Sequence, residues 1–285
     1  MAGPRLVIVA HDVEAEPGVS IHVRVDGPVN GTPVVMLHGY VGRSQNWDRA
    51  TGVLTSAGYR VFRFDHRGHG RSTHVGDESA YDFDRLRLDV LAVADALDIG
   101  PFHLVGHSMG GLVALLLSIE NPERLSSVMF VDCSPLPGQA GRPVWGHVRR
   151  FVGYRIGAQR VIRILAPALA LISQGAAADL TWSERFAVLG ELADSVNEVD
   201  PAAFVAFGEQ LGSHGDLRPH LGAIDVTTTV IVGEFELARL RAGAEALVAG
   251  IADARFEIID GAGHSPPTEK PERFNAALLN HLASN

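Results

Sequence analysis

Short apolar runs alternate with amphipathic stretches along the middle of the chain. The runs have the length and composition of strands that are buried on both faces of a parallel sheet. The stretches between them repeat their apolar residues at helical spacing. The predicted strands are 34–37, 60–65, 102–106 and 128–131, and the predicted helices are 45–57, 84–97 and 110–121. This alternation predicts an α/β fold with a mostly parallel, doubly wound sheet.

The pattern extends toward both ends of the chain. Residues 5–13 are rich in valine and isoleucine, and residues 19–25 alternate apolar with polar side chains, which is typical of a half-buried strand. Turn-forming pairs within 26–31 indicate that these are edge strands. Near the carboxyl terminus, the predicted strands are 228–233 and 255–259, and the predicted helices are 237–249 and 272–282.

The alternation stops at residue 134, where prolines and glycines cluster and mark a boundary. From there to about residue 220, the apolar residues recur only at helical spacing. They form two faces, Val161, Ile164, Leu165, Leu169 and Ile172, and Phe186, Leu189, Ala193 and Val196. Asp200 followed by Pro201 is a helix start. We therefore expect residues 134–220 to form a helical cap, inserted between the core segments 1–133 and 221–285.

Composition narrows the range of partners. The 285-residue chain is 46% hydrophobic, enough for a large core, and its net charge of −9 argues against a nucleic-acid partner. A single cysteine excludes a disulfide framework and a cysteine-based metal site. The apolar run at 6–10 is too short for a signal peptide, and no stretch has the length of a membrane span. We expect a cytoplasmic protein with no membrane partner, and the sequence does not indicate its oligomeric state.

The candidate chemistry centres on residues 106–110, Gly-His-Ser-Met-Gly, which have the form G-x-S-x-G. This motif lies between a predicted strand and a predicted helix, where it forms a sharp turn that exposes the serine hydroxyl. Ser108 is therefore a candidate nucleophile. Tyr40 and Asp132 follow other predicted strands, and ligands of such sheets bind beyond the carboxyl ends of the strands.

A serine nucleophile requires a base, and the base requires an acid that holds its tautomer. Among the 13 histidines, His264 follows the last strand in a glycine-rich loop from which it can reach Ser108. Glu236 follows the preceding strand, although Glu234 and Asp132 also occupy strand ends. The order Ser108, Glu236, His264 is that of one hydrolase fold. Other histidines near predicted turns are expected to be structural, namely His38, His66, His69, His103 and His107.

Backbone groups complete the predicted site. The N–H groups of Tyr40 and Met109 are candidates for an oxyanion hole, because both follow strands and Met109 begins a helix. The charged, glycine-rich loop at 65–72 is expected instead to be a structural turn locked by Asp65 and Arg67, since buried charges are usually paired internally.

Together these motifs resemble those of α/β-hydrolases with a helical cap, and the similarity covers nearly the whole chain outside the cap. The motifs that carry it are His38-Gly39-Tyr40 and residues 65–72, 106–111, 232–236 and 261–264. One position departs from the family, because Glu236 stands where its members usually have aspartate. This departure leaves Asp132 open as the acid, since some relatives place it after the preceding strand.

The resemblance implies a hydrolase that acts on a small molecule without a metal or organic cofactor. Ser108 implies an acyl-enzyme, because the related dehalogenases and epoxide hydrolases have aspartate at that position. We expect cleavage of a carboxylic ester, lactone or thioester of a small to medium apolar substrate. A carbon–carbon bond hydrolase and a haloperoxidase-like perhydrolase are alternatives with the same residues, and the pair of Ser108 and His264 disfavours a non-catalytic binding protein.

An arginine-rich segment interrupts the acidic composition within the predicted cap. It has no acidic residue and contains Arg142, Arg149, Arg150, Arg155, Arg160 and Arg163. A solvated helix face paired with acids of the main domain explains such a run, and recognition of an anionic substrate group or an acidic carrier is the alternative. The nearby aromatic residues either pack the cap or line an apolar pocket, and they are Trp145, Phe151 and Trp182.

Overall fold

A computed structural model describes residues 9–138, 148, 150–156 and 198–284. Its eight strands form one sheet in the order β1-β2-β4-β3-β5-β6-β7-β8. They are β1 (Val9–Glu16), β2 (Val19–Asp26), β3 (Thr32–Leu37), β4 (Tyr59–Phe64), β5 (Phe102–His107), β6 (Leu125–Val131), β7 (Thr227–Gly233) and β8 (Arg255–Ile259). Strand β2 runs antiparallel to both of its neighbours, and all other pairings of these strands are parallel. The predicted fold class is confirmed.

Helices cover both faces of the sheet. Within the described ranges they are α1 (Asp48–Ser56), α2 (Phe83–Ala96), α3 (Met109–Glu120), α4 (Pro201–Ser213), α5 (Ala238–Gly250), α6 (Pro266–Glu269) and α7 (Pro271–Leu282). Residues of α1 and α7 pack in one buried cluster, and residues of α2, α3 and α5 pack in another on the opposite face. None of the helices in these ranges combines the length and apolarity that crossing a membrane would require.

Three details of these elements differ from the prediction. The predicted helix at 45–57 is divided into a 3₁₀ turn and α1. Ser44 has the side chain of a helix cap but lies inside the 3₁₀ turn, where its hydroxyl donates to Gln45 Oε1 at 3.2 Å. Leu88 lies in the amphipathic pattern of the predicted helix at 84–97, yet its apolar side chain is 48% exposed. Strand β2 is not an edge strand, since it lies between β1 and β4, and even its His22 is buried.

The predicted cap lies largely outside the described residues. The two helical faces at 161–172 and 186–196, Trp145, Trp182 and four of the arginines (142, 149, 160 and 163) belong to that part. The helix start at Asp200 is as predicted, because its side chain accepts a hydrogen bond from the Ala202 N–H at 2.8 Å and Pro201 opens α4. Arg150 pairs with Glu78 at 2.6 Å, which agrees with an arginine run that faces acids of the main domain.

Parallel register brings the carboxyl ends of several strands to one edge of the sheet. Leu37 of β3 pairs with Gly106 of β5, and Val131 of β6 pairs with both His107 and Ile231. Gly233 of β7 pairs with Ile259 of β8. The residues that follow these strands therefore lie side by side, and they include His38, Ser108 and Asp132.

The charged loop at 65–72 is locked from two sides. The Asp65 carboxylate accepts hydrogen bonds from the N–H groups of Ser44 at 2.7 Å and Arg71 at 3.0 Å. The Arg67 guanidinium forms a bidentate pair with Asp89, at 2.6 and 2.7 Å, and all of these partners are internal to the fold. Both side chains therefore have the structural role that the sequence predicts.

Three buried histidines support the turn after β3. His38 Nδ1 donates to the Gly39 carbonyl at 2.8 Å, and His38 Nε2 accepts from the His66 N–H at 3.0 Å. The ring of His69 lies 5.1 Å from that of His38. Burial lowers the pKa of all three groups, that of His69 to about 3, so these imidazoles are neutral at neutral pH.

This histidine cluster predicts acid sensitivity. In the unfolded chain His69 gains a proton below about pH 6.5, whereas in the folded protein it does so only near pH 3. Between these values the unfolded state binds more protons, so the free energy of unfolding decreases as the pH falls, by about 1.4 kcal/mol per pH unit per histidine. In His69→Gln, urea denaturation from about pH 6 to 4 should show a slope smaller by that amount.

The exposed His220 provides the control. The substitution His220→Gln removes a histidine from the surface and should leave the pH dependence of the unfolding free energy unchanged. An unaltered slope in His69→Gln would mean that this buried imidazole titrates in the folded protein as it does in the unfolded chain.

Candidate active site

Ser108 occupies the turn between β5 and α3 in a strained backbone conformation. Its φ is +52° and its ψ is −111°, a region that costs a non-glycine residue on the order of 1–3 kcal/mol. The Ser108 N–H donates to the Val131 carbonyl at 2.8 Å, and its carbonyl accepts from the Leu112 N–H at 3.1 Å. These bonds hold the residue in place, so the hydroxyl projects from the edge of the sheet.

Two glycines make this turn sterically feasible. A Cβ at Gly106 would lie 2.4 Å from the Gly110 carbonyl oxygen, and a Cβ at Gly110 would lie 2.4 Å from the Leu37 carbonyl oxygen. Strand β5, helix α3 and strand β3 therefore approach one another more closely than any side chain would allow. The glycines of the G-x-S-x-G motif are required by packing.

His264 reaches Ser108 from the loop after β8. Its Nε2 lies 2.9 Å from Ser108 Oγ. Its Nδ1 forms a short hydrogen bond with Glu236 Oε2. Since a carboxylate only accepts, Nδ1 carries the proton and Nε2 presents its lone pair to the hydroxyl. The three side chains predicted from the sequence thus form one hydrogen-bonded row.

Glu236 is the ionised member of this row. Its side chain is only 1% exposed, and burial alone would raise the pKa of the carboxyl. The hydrogen bond and charge of His264, together with the Leu237 N–H that donates to Oε1 at 2.6 Å, outweigh that effect and lower the pKa below its ordinary value. A carboxylate at this position orients the imidazole and stabilises its protonated form.

The other two acids considered from the sequence make different bonds. Glu234 Oε2 accepts a hydrogen bond from the Gly261 N–H at 2.7 Å, so it holds the loop that carries His264. Asp132 Oδ1 accepts from the Gly233 N–H at 3.0 Å. Neither forms the hydrogen bond to His264 Nδ1, which goes to Glu236. Glutamate, which is one methylene longer than the aspartate usual in the family, therefore reaches His264 from position 236.

Glu269 also positions the histidine loop, and sequence analysis missed it. Its two carboxylate oxygens accept hydrogen bonds from the N–H groups of Gly263, at 2.5 Å, and Ser265, at 3.0 Å, on either side of His264. Burial raises the pKa of Glu269. The only signal in the sequence is the helix start at Ser265-Pro266, which places a short helix directly after His264.

The turn after β3 lies directly against the nucleophile. A Cβ at Gly39 would be 3.2 Å from Ser108 Cβ, so the backbone at 39–40 borders the space above the hydroxyl. On the other side, Met109 is the first residue of α3, where an N–H has no acceptor within the helix. Tyr40 lines the cavity above Ser108, and Met109 is the next residue in the chain, with the positive end of the α3 dipole behind Ser108. That their N–H groups form an oxyanion hole stays a prediction.

A cavity of about 570 Å³ opens above Ser108. Most of its lining is apolar, with Val41, Leu112, Leu136, Leu211, Leu240 and Pro267 among the contributing side chains. Cys133 also lines it, but burial raises the pKa of this thiol to about 12, so it is no competing nucleophile. Arg239 lines the cavity as well, and nothing in the sequence pattern indicated this.

His107 beside Ser108 and His103 near the start of β5, both assigned to structure from the sequence, have structural partners. His107 Nε2 donates to the His264 carbonyl at 2.6 Å, and burial lowers the pKa of His107 to about 3. His103 shares a hydrogen bond with Ser127 Oγ at 2.7 Å. These two imidazoles are held away from the hydroxyl of Ser108 by their own bonds.

Both ring nitrogens of His264 are committed to hydrogen bonds. One potential ligand atom each from His107, Asp132 and His264 lies within 4.8 Å of the other two. However, the Nδ1 proton of His264 goes to Glu236, and its Nε2 lone pair faces Ser108. A metal ion would have to displace one of these bonds, so the arrangement fits acid–base chemistry better than coordination.

The comparisons with known proteins agree with this geometry. A family model described as the alpha/beta hydrolase fold matches residues 32–271. The chain belongs to the α/β-hydrolase family. Since the match spans most of the sheet and includes the segments that carry Ser108, Glu236 and His264, the resemblance drawn from sequence motifs is confirmed at the level of the family.

Individual relatives of this α/β-hydrolase are enzymes. It is 30% identical over 258 residues to 2-hydroxy-6-oxo-6-phenylhexa-2,4-dienoate hydrolase of Comamonas testosteroni, with 88% of each chain covered. It is 28% identical over 267 residues to 3-oxoadipate enol-lactonase 1 of Acinetobacter baylyi, covering 90% and 91% of the two chains. The enol-lactonase structure from Burkholderia xenovorans LB400 matches with a TM-score of 0.80 at 26% identity, over 96% of this chain and 100% of that one. The protein is therefore a hydrolase.

The contacts of Glu269 predict a positioning effect on activity. Glu269→Ala removes the acceptors on both sides of His264, so the imidazole should lose its alignment with Ser108. Misplacement by about 1 Å costs on the order of 100-fold in rate. We expect kcat toward a nitrophenyl ester to fall by about that factor, with KM changing little.

The matched control is Glu272→Ala, which removes an exposed glutamate from the next helix. This control should retain the kcat of the unmodified protein. Equal kcat values for both variants would show that the loop holds His264 in place without the Glu269 carboxylate.

Proposed function

We propose that this α/β-hydrolase cleaves a carboxylic ester, lactone or thioester of a small molecule through an acyl-enzyme on Ser108. The observation that carries the proposal is the hydrogen-bonded row at the base of the cavity. Ser108 Oγ lies 2.9 Å from His264 Nε2, and the opposite nitrogen of that ring is bonded to the Glu236 carboxylate. A nucleophile, its base and the group that orients the base are thus in contact.

The first half of the reaction forms the acyl-enzyme. Ser108 Oγ attacks the carbonyl carbon of the substrate while His264 Nε2 takes the hydroxyl proton. The resulting imidazolium is stabilised by Glu236, and the tetrahedral oxyanion accepts hydrogen bonds from the N–H groups of Tyr40 and Met109. When the carbonyl re-forms, the bond to the alcohol or thiol breaks, and the leaving group takes the proton from His264.

The second half returns the enzyme to its starting state. A water molecule in the position of the departed alcohol donates its proton to His264 Nε2 and attacks the acyl carbon. The second tetrahedral intermediate collapses, the bond to Ser108 Oγ breaks, and the serine recovers its proton from the imidazolium. The product is a carboxylic acid, and no redox partner or cofactor takes part.

Residues 134–220 act in this proposal as the helical cap over the site. Leu136, Leu211 and His214 come from that segment and line the cavity together with Ser108. The Tyr40 hydroxyl donates to the Phe204 carbonyl of α4 at 2.5 Å, and the two rings stack with centroids 5.5 Å apart. Contact between α4 and the candidate oxyanion turn supports a role for the segment in enclosing the substrate.

Arg239 points to a substrate that carries a negative charge away from the scissile bond. This exposed cation lies at the cavity beside Gly138, and no carboxylate of the described chain forms an ion pair with it. An arginine in such a position can bind a carboxylate through two parallel hydrogen bonds. The other lining residues near it are apolar, including Leu136, Leu211 and Leu240.

The names of the two curated relatives are consistent with this substrate class. One acts on a dienoate and the other on an enol-lactone of an oxoadipate. Because one relative is a dienoate hydrolase, carbon–carbon bond cleavage by Ser108, His264 and Glu236 is the alternative reaction. Product analysis separates the two reactions, because ester cleavage yields an acid and an alcohol, whereas carbon–carbon cleavage divides the carbon skeleton.

Serine-directed fluorophosphonate labelling tests the nucleophile. The unmodified protein should be labelled and should hydrolyse short nitrophenyl esters, while Ser108→Ala should lose both properties. Substitutions His264→Ala and Glu236→Gln should lower kcat by about 10⁶-fold and 10⁴-fold respectively. Labelling that persists in Ser108→Ala would assign the reactive hydroxyl elsewhere, and an unlabelled, inactive but folded protein would refute the proposed chemistry.

A matched pair of esters tests the substrate class. Nitrophenyl hexanoate and the mono-nitrophenyl ester of adipic acid differ only in a terminal carboxylate. Arg239→Met should lower kcat/KM for the charged ester by about tenfold, equivalent to 1.4 kcal/mol, and leave the neutral ester unaffected. Arg255→Met, which removes the same charge at the amino end of β8, should change neither.

If the ratio of kcat/KM for the charged and the neutral ester is the same in Arg239→Met and in the unmodified protein, Arg239 does not take part in substrate recognition. That result would leave the acyl-enzyme proposal intact, because the neutral ester would still be cleaved.

A further inference from the structure

Asp132 is a buried carboxyl group that the proposed reaction does not use. It follows β6 with a φ of +47°, and the residue is completely buried. Oδ1 accepts the Gly233 N–H at 3.0 Å, whereas Oδ2 has no hydrogen-bond donor in the described part of the chain. A buried carboxylate oxygen without a donor is costly, so the state of this group requires an explanation.

The Asp132 side chain faces another acid. Ring nitrogens of His107 and His264 are within 4.8 Å of an Asp132 oxygen, and His264 is hydrogen-bonded to Glu236. The Glu236 carboxyl therefore shares this buried site with Asp132, and the negative charges of Glu236 and Glu269 both act on it. Two carboxyl groups that share a buried site do not both ionise readily, because their like charges repel strongly where water is excluded. One proton shared between them converts the repulsion into a hydrogen bond.

The hydrogen bonds decide which acid keeps that proton. Glu236 accepts from His264 Nδ1 and from the Leu237 N–H, whereas Asp132 accepts only from the Gly233 N–H. The negative charge is therefore better stabilised on Glu236. Burial, followed by the charge of Glu236, raises the pKa of Asp132 well above its usual range, in agreement with this assignment.

We propose that Asp132 is a neutral carboxylic acid whose Oδ2–H donates a hydrogen bond to Glu236 and holds that carboxylate toward His264. Asp132 is then a positioning residue. The inference rests on the proposed roles of Glu236 and His264, and it accounts for the missing donor at Oδ2. Glu236 would receive three hydrogen bonds, from Asp132, Leu237 and His264, which both fixes its orientation and keeps it ionised.

The substitution Asp132→Asn tests this assignment directly. Asparagine can accept the Gly233 N–H through its oxygen and donate to Glu236 through its amide, so it reproduces the shape, charge and hydrogen bonds of a protonated aspartate. We expect kcat within about threefold of the unmodified protein and an unchanged acidic limb in the pH profile of kcat/KM. If Asp132 is instead ionised, this substitution removes a negative charge beside His264, and the acidic limb should move by about one pH unit to lower pH. A shift of that kind would overturn the proposal.

Asp132→Leu separates positioning from packing. Leucine has the same branching at Cγ, although it is larger than aspartate, and offers no donor to Glu236, so kcat should fall by about tenfold while KM stays constant, and the asparagine variant should restore it. A leucine variant with the full kcat of the unmodified protein would show that Glu236 does not depend on a donor at this position.

Infrared spectroscopy can detect the proton on the Asp132 carboxyl without any substrate. At about pH 7 the unmodified protein should show the carbonyl stretch of a protonated carboxylic acid that is absent from Asp132→Asn. Loss of the band would support the proposal even if no substrate were known, which separates its outcome from that of the proposed function. An identical spectrum in this region would mean that Asp132 carries no proton, and the proposal would fail.

Discussion

Close contact between three stretches of main chain fixes the geometry of the site. Strand β5, the first turn of α3 and the end of β3 meet at Gly106 and Gly110, where there is no room for a side chain. Ser108 lies within that contact, and its backbone is further tied to β6 by a hydrogen bond to Val131. Each of the other groups of the site follows a strand of the same sheet. The register of the parallel strands therefore determines how far these groups lie from Ser108.

Burial then determines which groups at this edge carry charge. The histidines that support the turn after β3 are neutral because they are desolvated, and so is His107 beside Ser108. The Cys133 thiol is neutral for the same reason. Glu236 retains its charge because hydrogen bonds compensate for its desolvation. Glu236 is therefore a well-defined anion hydrogen-bonded to His264, which is the condition under which one imidazole can act as both base and acid.

Much of this arrangement could be predicted from the sequence, because periodicity and strand ends are local properties. Ser108 and His264 each follow a strand, and parallel strands bring such positions together. The choice between Glu236 and Asp132 could not be made in that way, since both follow strands. Only the positions of the side chains in the fold show that Glu236 is the acid bonded to His264. Similarly, Ser44 has the chemistry of a helix cap, but it lies inside a 3₁₀ turn and its N–H donates to Asp65.

Sequence patterns did not reveal residues whose role depends on how a loop folds or on which elements pack together. Glu269 lies only five residues after His264, yet its role depends on the fold of the loop between them. In the sequence, Arg239 is not distinguishable from other cations on predicted helices, and only the fold shows that it lines the cavity. Leu88 shows the same limitation in the opposite direction, because its place in the helical pattern does not reveal that its apolar side chain is 48% exposed.

The backbone strain of the described chain is concentrated at the same edge. Besides the glycines, positive φ angles occur there at Val41, Ser108 and Asp132, whereas Asp98 and Asp253 lie just beyond the ends of helices, where such angles are common. At roughly 1–3 kcal/mol each, three strained residues amount to a large part of the 5–15 kcal/mol by which a folded protein is typically stable. Favourable interactions in the sheet and its helices must therefore exceed the net stability of the protein by the amount of this strain. Substitutions that raise thermal stability are best made far from Ser108, where they do not relax the backbone conformation on which its reactivity depends.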